Sequence, residues 1–372
     1  MKRVCRIQKN EPQDIQPFQE PARILPILGS QLSDFQEEQV RMAGCTLLDV
    51  PHRRDLPADC VAWFSEDVVF SAEFLKRAIG MASPTPRRAA YANGDPGFHL
   101  FQPFSSSNPN DTHHAIEFAF GENLKANIEP APDVWSPSLF DDIRVPPHGP
   151  TPHTIRFPVS PLMVAQMSHW IHVLHANIVM LYSMRHRHGL LGSRNRVGQN
   201  VKIHPTALVE GSILEDGAEV EAFATVLQSF VGKNAKIASH SLFQNCVIGD
   251  NCHTLVDTHM RRVVAFSGST LSNLGIEDVV IGRNVFITTG VGFFQNPPGA
   301  PLVVDGVKIH RPVIGGAIGH DSILGARALM SPGTAIPSKT VVVMRPDEGL
   351  TQLTAHGLSR AHMIIGNPSE HH

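Results

Sequence analysis

Large aliphatic residues recur along the C-terminal half of the chain with a fixed step. Val197, Leu214, Val231 and Ile248 stand 17 residues apart, and each step divides into six, six and five residues. The series runs through VGQNVK (from Val197), IHPTAL (Ile203), VEGSI (Val209), LEDGAE (Leu214), VEAFAT (Val220), VLQSF (Val226), VGKNAK (Val231), IASHSL (Ile237) and FQNCV (Phe243). It resumes at Ile281, Ile287, Ile318, Leu324, Met330 and Ile336. The fifth position of a unit is mostly small or β-branched, as at Val201, Ala207, Ala218, Ala224 and Ala235. This pattern predicts a triangular solenoid: each unit is one short strand, three units close a coil, the aliphatic side chain fills the prism and coils stack to bury it. Gly and Asn in VGQN, VGKN, IGDN and IGRN are expected to supply the corner conformations. Residues 257–275 fit the repeat poorly. Residues 293–312 read as a loop thrown out from one corner, the usual place for a working face.

The N-terminal half reads as mixed α/β. Residues 22–27 suggest a strand, and residues 30–44 a helix capped by Ser30 or Ser33 and stopped by Gly44. Strands are expected at 45–50 and within 60–70, followed by a helix over 71–82 with a Ser cap and Glu73 in its first turn. Residues 83–97 read as a turn-rich loop, 105–114 and 130–137 as further loops, and short strands as lying near 98–104, 115–120 and 153–157. Ser160 and Pro161 then suggest the start of a long helix that Gly189 closes, about 40 Å long. His169, His172 and His175 are three apart, drift around that helix and suggest a polar, partly buried seam. The expected organisation is an α/β domain over 1–158, a linking helix over 159–189, the prism over 190–346 and a tail over 347–372.

Composition narrows the function classes. The chain has 372 residues, 42% hydrophobic and 17% charged, which does not describe a disordered polypeptide. A net charge of −3 argues against nucleic-acid binding driven by phosphate neutralisation. The five cysteines are scattered without a CxxC, which suits reduced thiols in a cytoplasmic protein. MKRVCRIQKN has no apolar core of a signal peptide. The apolar stretch 161–184 is interrupted by Gln166, Ser168, three histidines and Asn177, and makes a poor membrane span.

The 17-residue pattern over roughly 197–345 resembles the hexapeptide-repeat transferases. That resemblance implies a left-handed parallel β-helix, a homotrimer, and ligand sites between neighbouring prisms. PILGSQLSDFQEEQVRMAG and SEDVVFSAEFLKRAI resemble a shortened nucleoside-diphosphate-sugar pyrophosphorylase domain. There the resemblance implies Mg²⁺ at Asp67, with Glu66 in the place of the usual Gly. The Gly-rich nucleotide loop of that family has no counterpart in residues 1–30, so the domain is expected to be degenerate. The order of domains resembles the bifunctional N-acetylglucosamine-1-phosphate uridylyltransferase and glucosamine-1-phosphate acetyltransferase family. Asn296, Asp305, Gly306 and Lys308 before IGGAIGHDSI match a loop of that family. The family's His base falls on Thr270 here, which cannot take a proton at neutral pH; His259 and His310 are the nearby substitutes. Arg261, Arg262, Lys308 and Arg311, with Asn296, are the expected contacts for the phosphates of acetyl-CoA or another acyl-CoA, or of a nucleotide sugar.

Three functions stay open at this point. The first is acyl transfer to a sugar phosphate or nucleotide sugar at the β-helix subunit interface. The second is a catalytically degenerate trimeric scaffold or sugar-nucleotide-binding protein. The third is a metal-dependent hydratase like the gamma-class carbonic anhydrases, which needs three His at a seam; His253 and His259 are one hexad apart and fall on successive walls.

Overall fold

The computed structural model describes residues 2–81, 84–92, 113–126, 128–131, 140–145, 153–158, 161–190, 192–272, 274–293, 302–309, 314–344 and 363–366. The chain divides into two compact units, Met1–Ile15 with Glu20–Gly189, and Gln16–Gln19 with Leu190–His372.

The first unit is built on a six-stranded mixed sheet. Lys2–Ile7 is its central parallel strand, flanked by Cys45–Val50 and Cys60–Ser65. His113–Phe120 runs antiparallel to Cys60–Ser65, then Arg87–Ala92 and Glu129–Ala131 complete the order. The first strand was not expected, because its sequence is dense with charge. Val4 and Cys5 are fully buried, while Arg3 pairs with Asp59 (2.8 Å) and Arg6 with its register partner Asp49 on the neighbouring strand (2.6 Å). The strand Arg87–Ala92 corrects the loop expected over 83–97, and Glu129–Ala131 corrects the start of the loop expected at 130–137. Residues 22–27 form a 3₁₀ turn, Ala22–Ile24, and a two-residue strand, Pro26–Ile27. The strand expected at 98–104 lies outside the described residues.

The first helix is Leu32–Met42, and its N-cap Gln31 makes no side-chain capping bond, so neither candidate serine caps it. Gly44 ends it at φ 76°. The second, Ala72–Gly80, starts as expected: Ser71 Oγ accepts from Phe74 N at 3.2 Å.

The long helix expected from residue 160 begins ten residues later, at Trp170, and ends at Arg187. Val164–Gln166 instead forms a strand antiparallel to Val68–Phe70, and the Tyr91 hydroxyl donates to Val164 O. His169 is the true cap, its Nδ1 accepting from Ile171 N at 3.2 Å. The helix is buried on nearly every face from Trp170 to Leu181, the mark of a core helix of the first unit. Asn177 ties it to the PILG segment, accepting from Leu28 N at 2.8 Å and donating to Pro26 O at 3.0 Å. No helix among the described residues is long and apolar enough to cross a membrane.

The second unit is a three-walled prism of parallel strands, which fits the expected left-handed β-helix. The first wall stacks residues 196–197, 213–214, 230–231, 247–248, 264–265, 280–281, 317–318 and 335–336. The second runs from Lys202–Ile203 to Val341–Met344 and is closed by the antiparallel strand Met363–Gly366. The third holds Leu208–Glu210, Thr225–Leu227, Leu242–Gln244, His259–Arg261 and Leu274–Glu277, and Gly292–Phe293 pairs with Leu329–Met330 above it. The repeat's aliphatic positions, Leu214, Val220, Val226, Val231, Ile237 and onward, form one buried core.

Corner residues stack in ladders of positive φ. One holds Asn200, Gly217, Asn234, Asn251, Gly268 and Asn284; another holds Gly211, Gln228, Asn245, Arg262 and Asp278. The Gly of VGQN and VGKN has a different task from the one expected. It makes room for the next coil: a Cβ on Gly232 would lie 2.5 Å from Asp250 Oδ1 and 2.7 Å from Asp250 N. That carboxylate accepts from Lys233 N at 2.7 Å, as Asp216 does from Gln199 N two coils earlier. The left-handed residue is the Asn.

Residues 257–275, read as irregular, belong to the prism. His259–Arg261, Val264–Ala265 and Thr270–Leu271 all pair with the coils on either side. The repeat is hard to see because the step shortens: Val264 pairs with Val280 and Ala265 with Ile281, 16 residues on. The insertion at 293–312 carries its own hairpin, Val303–Val304 with Val307–Lys308, turned by Asp305 (φ 47°) and Gly306 (φ 78°). Leu302, Val304 and Ile309 are buried, and a Cβ on Gly333 would meet Val304 Cγ2.

Candidate functional site

His259 opens the third-wall strand His259–Arg261, between register partners Leu242 and Leu274. It is half-buried. It lies two residues past the corner residue Asp257 (φ 59°). Immediately before that corner, Leu255 and Val256 are 44% and 56% exposed. Along the second wall and its corner Phe223, Phe286 and Ile323 are exposed too; Phe286 and Ile323 are register partners, and Phe223 stacks on His240 at 5.1 Å. His259 therefore lies just past a corner at which two apolar side chains are exposed, while Phe286 and Ile323 stand two and three coils above His253 on the second wall.

Arg261 and Arg262 diverge, as successive strand-end residues must. Arg261 is exposed, 3.2 Å from Gln244 Oε1 and 3.3 Å from Glu277 Oε1. Arg262 turns into the corner. Its Nε and Nη2 donate to the two oxygens of Asp278 at 2.8 and 2.6 Å, and Nη2 also reaches Glu277 at 3.2 Å. Its guanidinium is taken up by these carboxylates, whereas Arg261 shares only the edge of Glu277. Glu277 and Asp278 were missed in the sequence; the available signal was their place one 16-residue step above Arg261 and Arg262.

The inserted loop leaves from the same wall. Its root, Gly292–Phe293, adjoins Leu274–Glu277 and so lies two coils above His259, about 10 Å at the usual strand spacing. Lys308 stands on the second strand of the hairpin. Asn296, His310 and Arg311 lie outside the described residues. Thr270 is on the second wall, between His253 and Phe286.

In the first unit Asp67 is buried, and its Oδ2 accepts from Lys9 Nζ at 2.7 Å and from Gln166 Nε2 at 3.0 Å. Burial acts to lower the Lys9 pKa, but Asp67, helped by Glu117 and Glu66, outweighs it and holds the ammonium above its ordinary value. A fixed cation on this carboxylate does not fit the Mg²⁺ that the resemblance implied there. Among the described residues no group of three His, Cys, Asp or Glu is placed to hold a metal ion. His172 Nδ1 accepts from Ser168 N at 3.1 Å inside the helix core. The five cysteines are all free and buried, and burial pushes the Cys246 and Cys252 thiols up to about 12, so these two are core residues rather than nucleophiles.

No protein-family model matches the chain. Over 161 residues, 42% of its length, the chain is 28% identical to the bifunctional protein GlmU of Ruthia magnifica subsp. Calyptogena magnifica. The match covers 30% of that protein, so the chain spans less than a third of the curated relative's length. Among solved structures it is similar to a putative acetyltransferase of Bacillus cereus (14% identity, 48% of this chain, 87% of that one, TM-score 0.18). It is also similar to PerB from Caulobacter crescentus, solved with CoA and GDP-perosamine (16%, 41% and 54%, TM-score 0.15), and to the polysialic acid O-acetyltransferase OatWY (16%, 40% and 74%, TM-score 0.16).

Proposed function

We propose that the chain is an acyltransferase that moves an acetyl group from acetyl-CoA to a sugar phosphate or nucleotide sugar, at a site where prisms meet in a homotrimer. The observation that carries this reading is the position of His259, just past the corner that exposes Leu255 and Val256 and on the wall that throws out the loop. Exposed apolar side chains that line up along a wall, as Phe286 and Ile323 do on the second wall, mark a surface that another chain covers. The partial sequence match to GlmU supports the same reading.

In this reading the acceptor's amine or hydroxyl attacks the acetyl carbonyl carbon, the carbon–sulfur bond breaks, and CoA leaves as the thiolate. His259 takes the acceptor's proton, with His310 as the other base within the loop. Arg261 and Lys308 serve the phosphates, with Asn296 and Arg311 as the further contacts that the sequence suggests. Arg262 serves by fixing the corner.

The test is CoA-thiol release from acetyl-CoA with amino-sugar phosphates and nucleotide sugars, alongside sedimentation for the trimer. Release that falls by roughly 10²-fold or more in His259→Ala supports the reading. Stabilisation by acetyl-CoA or CoA supports its first step. No thermal shift with either and no release with any acceptor overturns it. Thr270 at the place of the family's base favours a second reading, a trimeric binding protein without turnover, which a thermal shift with nucleotide sugar alone would support.

A further inference from the structure

The first unit holds a cavity of about 320 Å³ lined by Lys9, Arg53, Trp63, Ser65, Arg88 and Glu117, among others. That is the low end of the range for small-molecule pockets, ~300–1,000 Å³. Its walls carry polar atoms that the protein does not satisfy. Trp63 and Ser65 are 7% and 2% exposed, yet Trp63 Nε1 and Ser65 Oγ have no hydrogen-bond partner. The same holds for Arg53 Nη2, which is also buried. A buried donor left unpaired costs about 1–3 kcal/mol, and native proteins pair the large majority of their buried polar groups. Three of them line one cavity here.

The two guanidiniums are held by their Nε atoms, which points their remaining N–H groups elsewhere. Arg53 Nε donates to Leu124 O at 2.9 Å, and Arg88 Nε to Ile116 O at 2.9 Å. Arg53 also lies over the Trp63 ring, 5.7 Å from its centroid. Neither arginine has an ion pair among the described residues. Burial, and then the neighbouring charge of Arg88, push the Arg53 pKa down, so the two cations sit close enough to repel. Lys9 is already neutralised by Asp67. Glu117 is the only acid among the described lining residues and lies 3.9 Å from Lys9.

We propose that this cavity is a binding site for a small phosphate monoester, held by Arg53 and Arg88 with the Trp63 indole N–H and the Ser65 hydroxyl as further donors. Two guanidinium edges, an indole N–H and a hydroxyl outnumber what one carboxylate accepts well, and they match the three terminal oxygens of a phosphate. The cavity is larger than the phosphate alone and leaves room for a compact organic group beside Glu117. The site is independent of acyl transfer in the prism. It stands if that activity fails, and its own failure leaves that activity untouched.

Trp63 is itself the reporter. Titration of the full chain with glycerol 3-phosphate, followed by intrinsic fluorescence, is expected to give a saturable change that Trp63→Phe removes. Inorganic phosphate should compete with it, acetate should not, and equal ionic strength of sodium chloride should have little effect. Arg53→Gln and Arg88→Gln should each weaken binding at least about tenfold, while Arg88→Lys, which keeps charge but loses the fork, should weaken it less. Ser65→Ala serves if an arginine variant fails to fold. A response equal for acetate and phosphate, or one that survives in Trp63→Phe and in both arginine variants, overturns the proposal. So does the absence of any saturable response to either phosphate compound.

Discussion

Arg262 and Asp278 occupy the same corner on consecutive coils, and their side chains pair through two hydrogen bonds of 2.8 and 2.6 Å. Both backbones are left-handed, at φ 51° and 55°. They are 16 residues apart, in the coil where the repeat drops one residue from its usual 17. Gly211, Gln228 and Asn245 precede them in the ladder, so a glycine or amide position has become a charge pair. Asp278 is 1% exposed and Arg262 7%. A run that looks like exposed basic charge in the sequence is thus half internal: Arg261 faces outward and Arg262 locks two coils.

Breaking that lock should be costly. Arg262→Ala leaves the Asp278 carboxylate buried without its partner, a loss of about 3–5 kcal/mol when one member of a buried pair is removed. For a unit of this size the melting temperature should fall by roughly 10 °C. Removing both charges in Arg262→Ala with Asp278→Ala should cost less than the sum of the single variants, because no lone charge remains. Thermal unfolding of the three variants followed by circular dichroism checks this. Additive losses would show that the two side chains do not act as a pair.

The tight approach at Gly232 gives a second stability prediction. A methyl group there meets backbone and carboxylate atoms of Asp250 at 2.5–2.7 Å, and the Asp250 backbone is fixed by its own coil. Gly232→Ala should lose about 1–3 kcal/mol through forced separation of coils. Asn234→Gly, at the left-handed corner two residues on, removes a strained conformation and should be much milder. Denaturant midpoints of the two variants decide the matter. Equal losses would mean that both positions act only through turn propensity.

The prism was legible because its period is short, regular and written in one kind of residue. Each aliphatic position from Leu214 to Phe243 is buried where the 17-residue step puts it. The division of labour between Gly232 and Asn234 was not legible, since it depends on Asp250 in the next coil. The strand Lys2–Ile7 was hidden because Arg3 and Arg6 find partners 56 and 43 residues away, and no local pattern announces that. The helix start was misplaced because Ser160 and Pro161 are good first-turn residues, while Val164–Gln166 had a better use pairing with Val68–Phe70. Of the candidate site, His259 and Arg261 are proposed from residue type alone. Glu277, Asp278 and the Lys9–Asp67 pair needed the coordinates, because the partners come from other coils or strands.

The buried His172 predicts how the first unit responds to acid. Its pKa is held well below the ordinary 6.5, first by burial and then by the neighbouring His169, His175 and His114. His114 shifts the same way, by burial and by Arg88. Below pH 6.5 the unfolded chain takes up these protons and the native one does not, so stability falls as pH drops from about 6.5 toward the native-state pKa. The slope is up to about 1.4 kcal/mol per pH unit for each such histidine. Melting temperatures between pH 7.5 and 5 should therefore decline, and His172→Asn, which cannot titrate, should decline less steeply. Parallel curves for the two proteins would remove His172 from the account.

His259 and Arg261 should separate kinetically if the prism transfers an acyl group. His259 lies on the wall with one face open to solvent, and a base acts only as the proton leaves, so His259→Gln should lower kcat with little change in the acetyl-CoA KM. Arg261 shares a single oxygen of Glu277 at 3.3 Å and is 45% exposed, which leaves most of its donors for a phosphate. Arg261→Ala should raise the acetyl-CoA KM several-fold and leave kcat nearly unchanged, because that contact is equal in the ground and transition states. Neither change touches the core, so both variants should melt within about 2 °C of the parent. Steady-state kinetics across acetyl-CoA concentration give the two numbers. A fall in kcat for Arg261→Ala equal to that for His259→Gln would place both residues in a common structural role, and the assignment of His259 as base would fail.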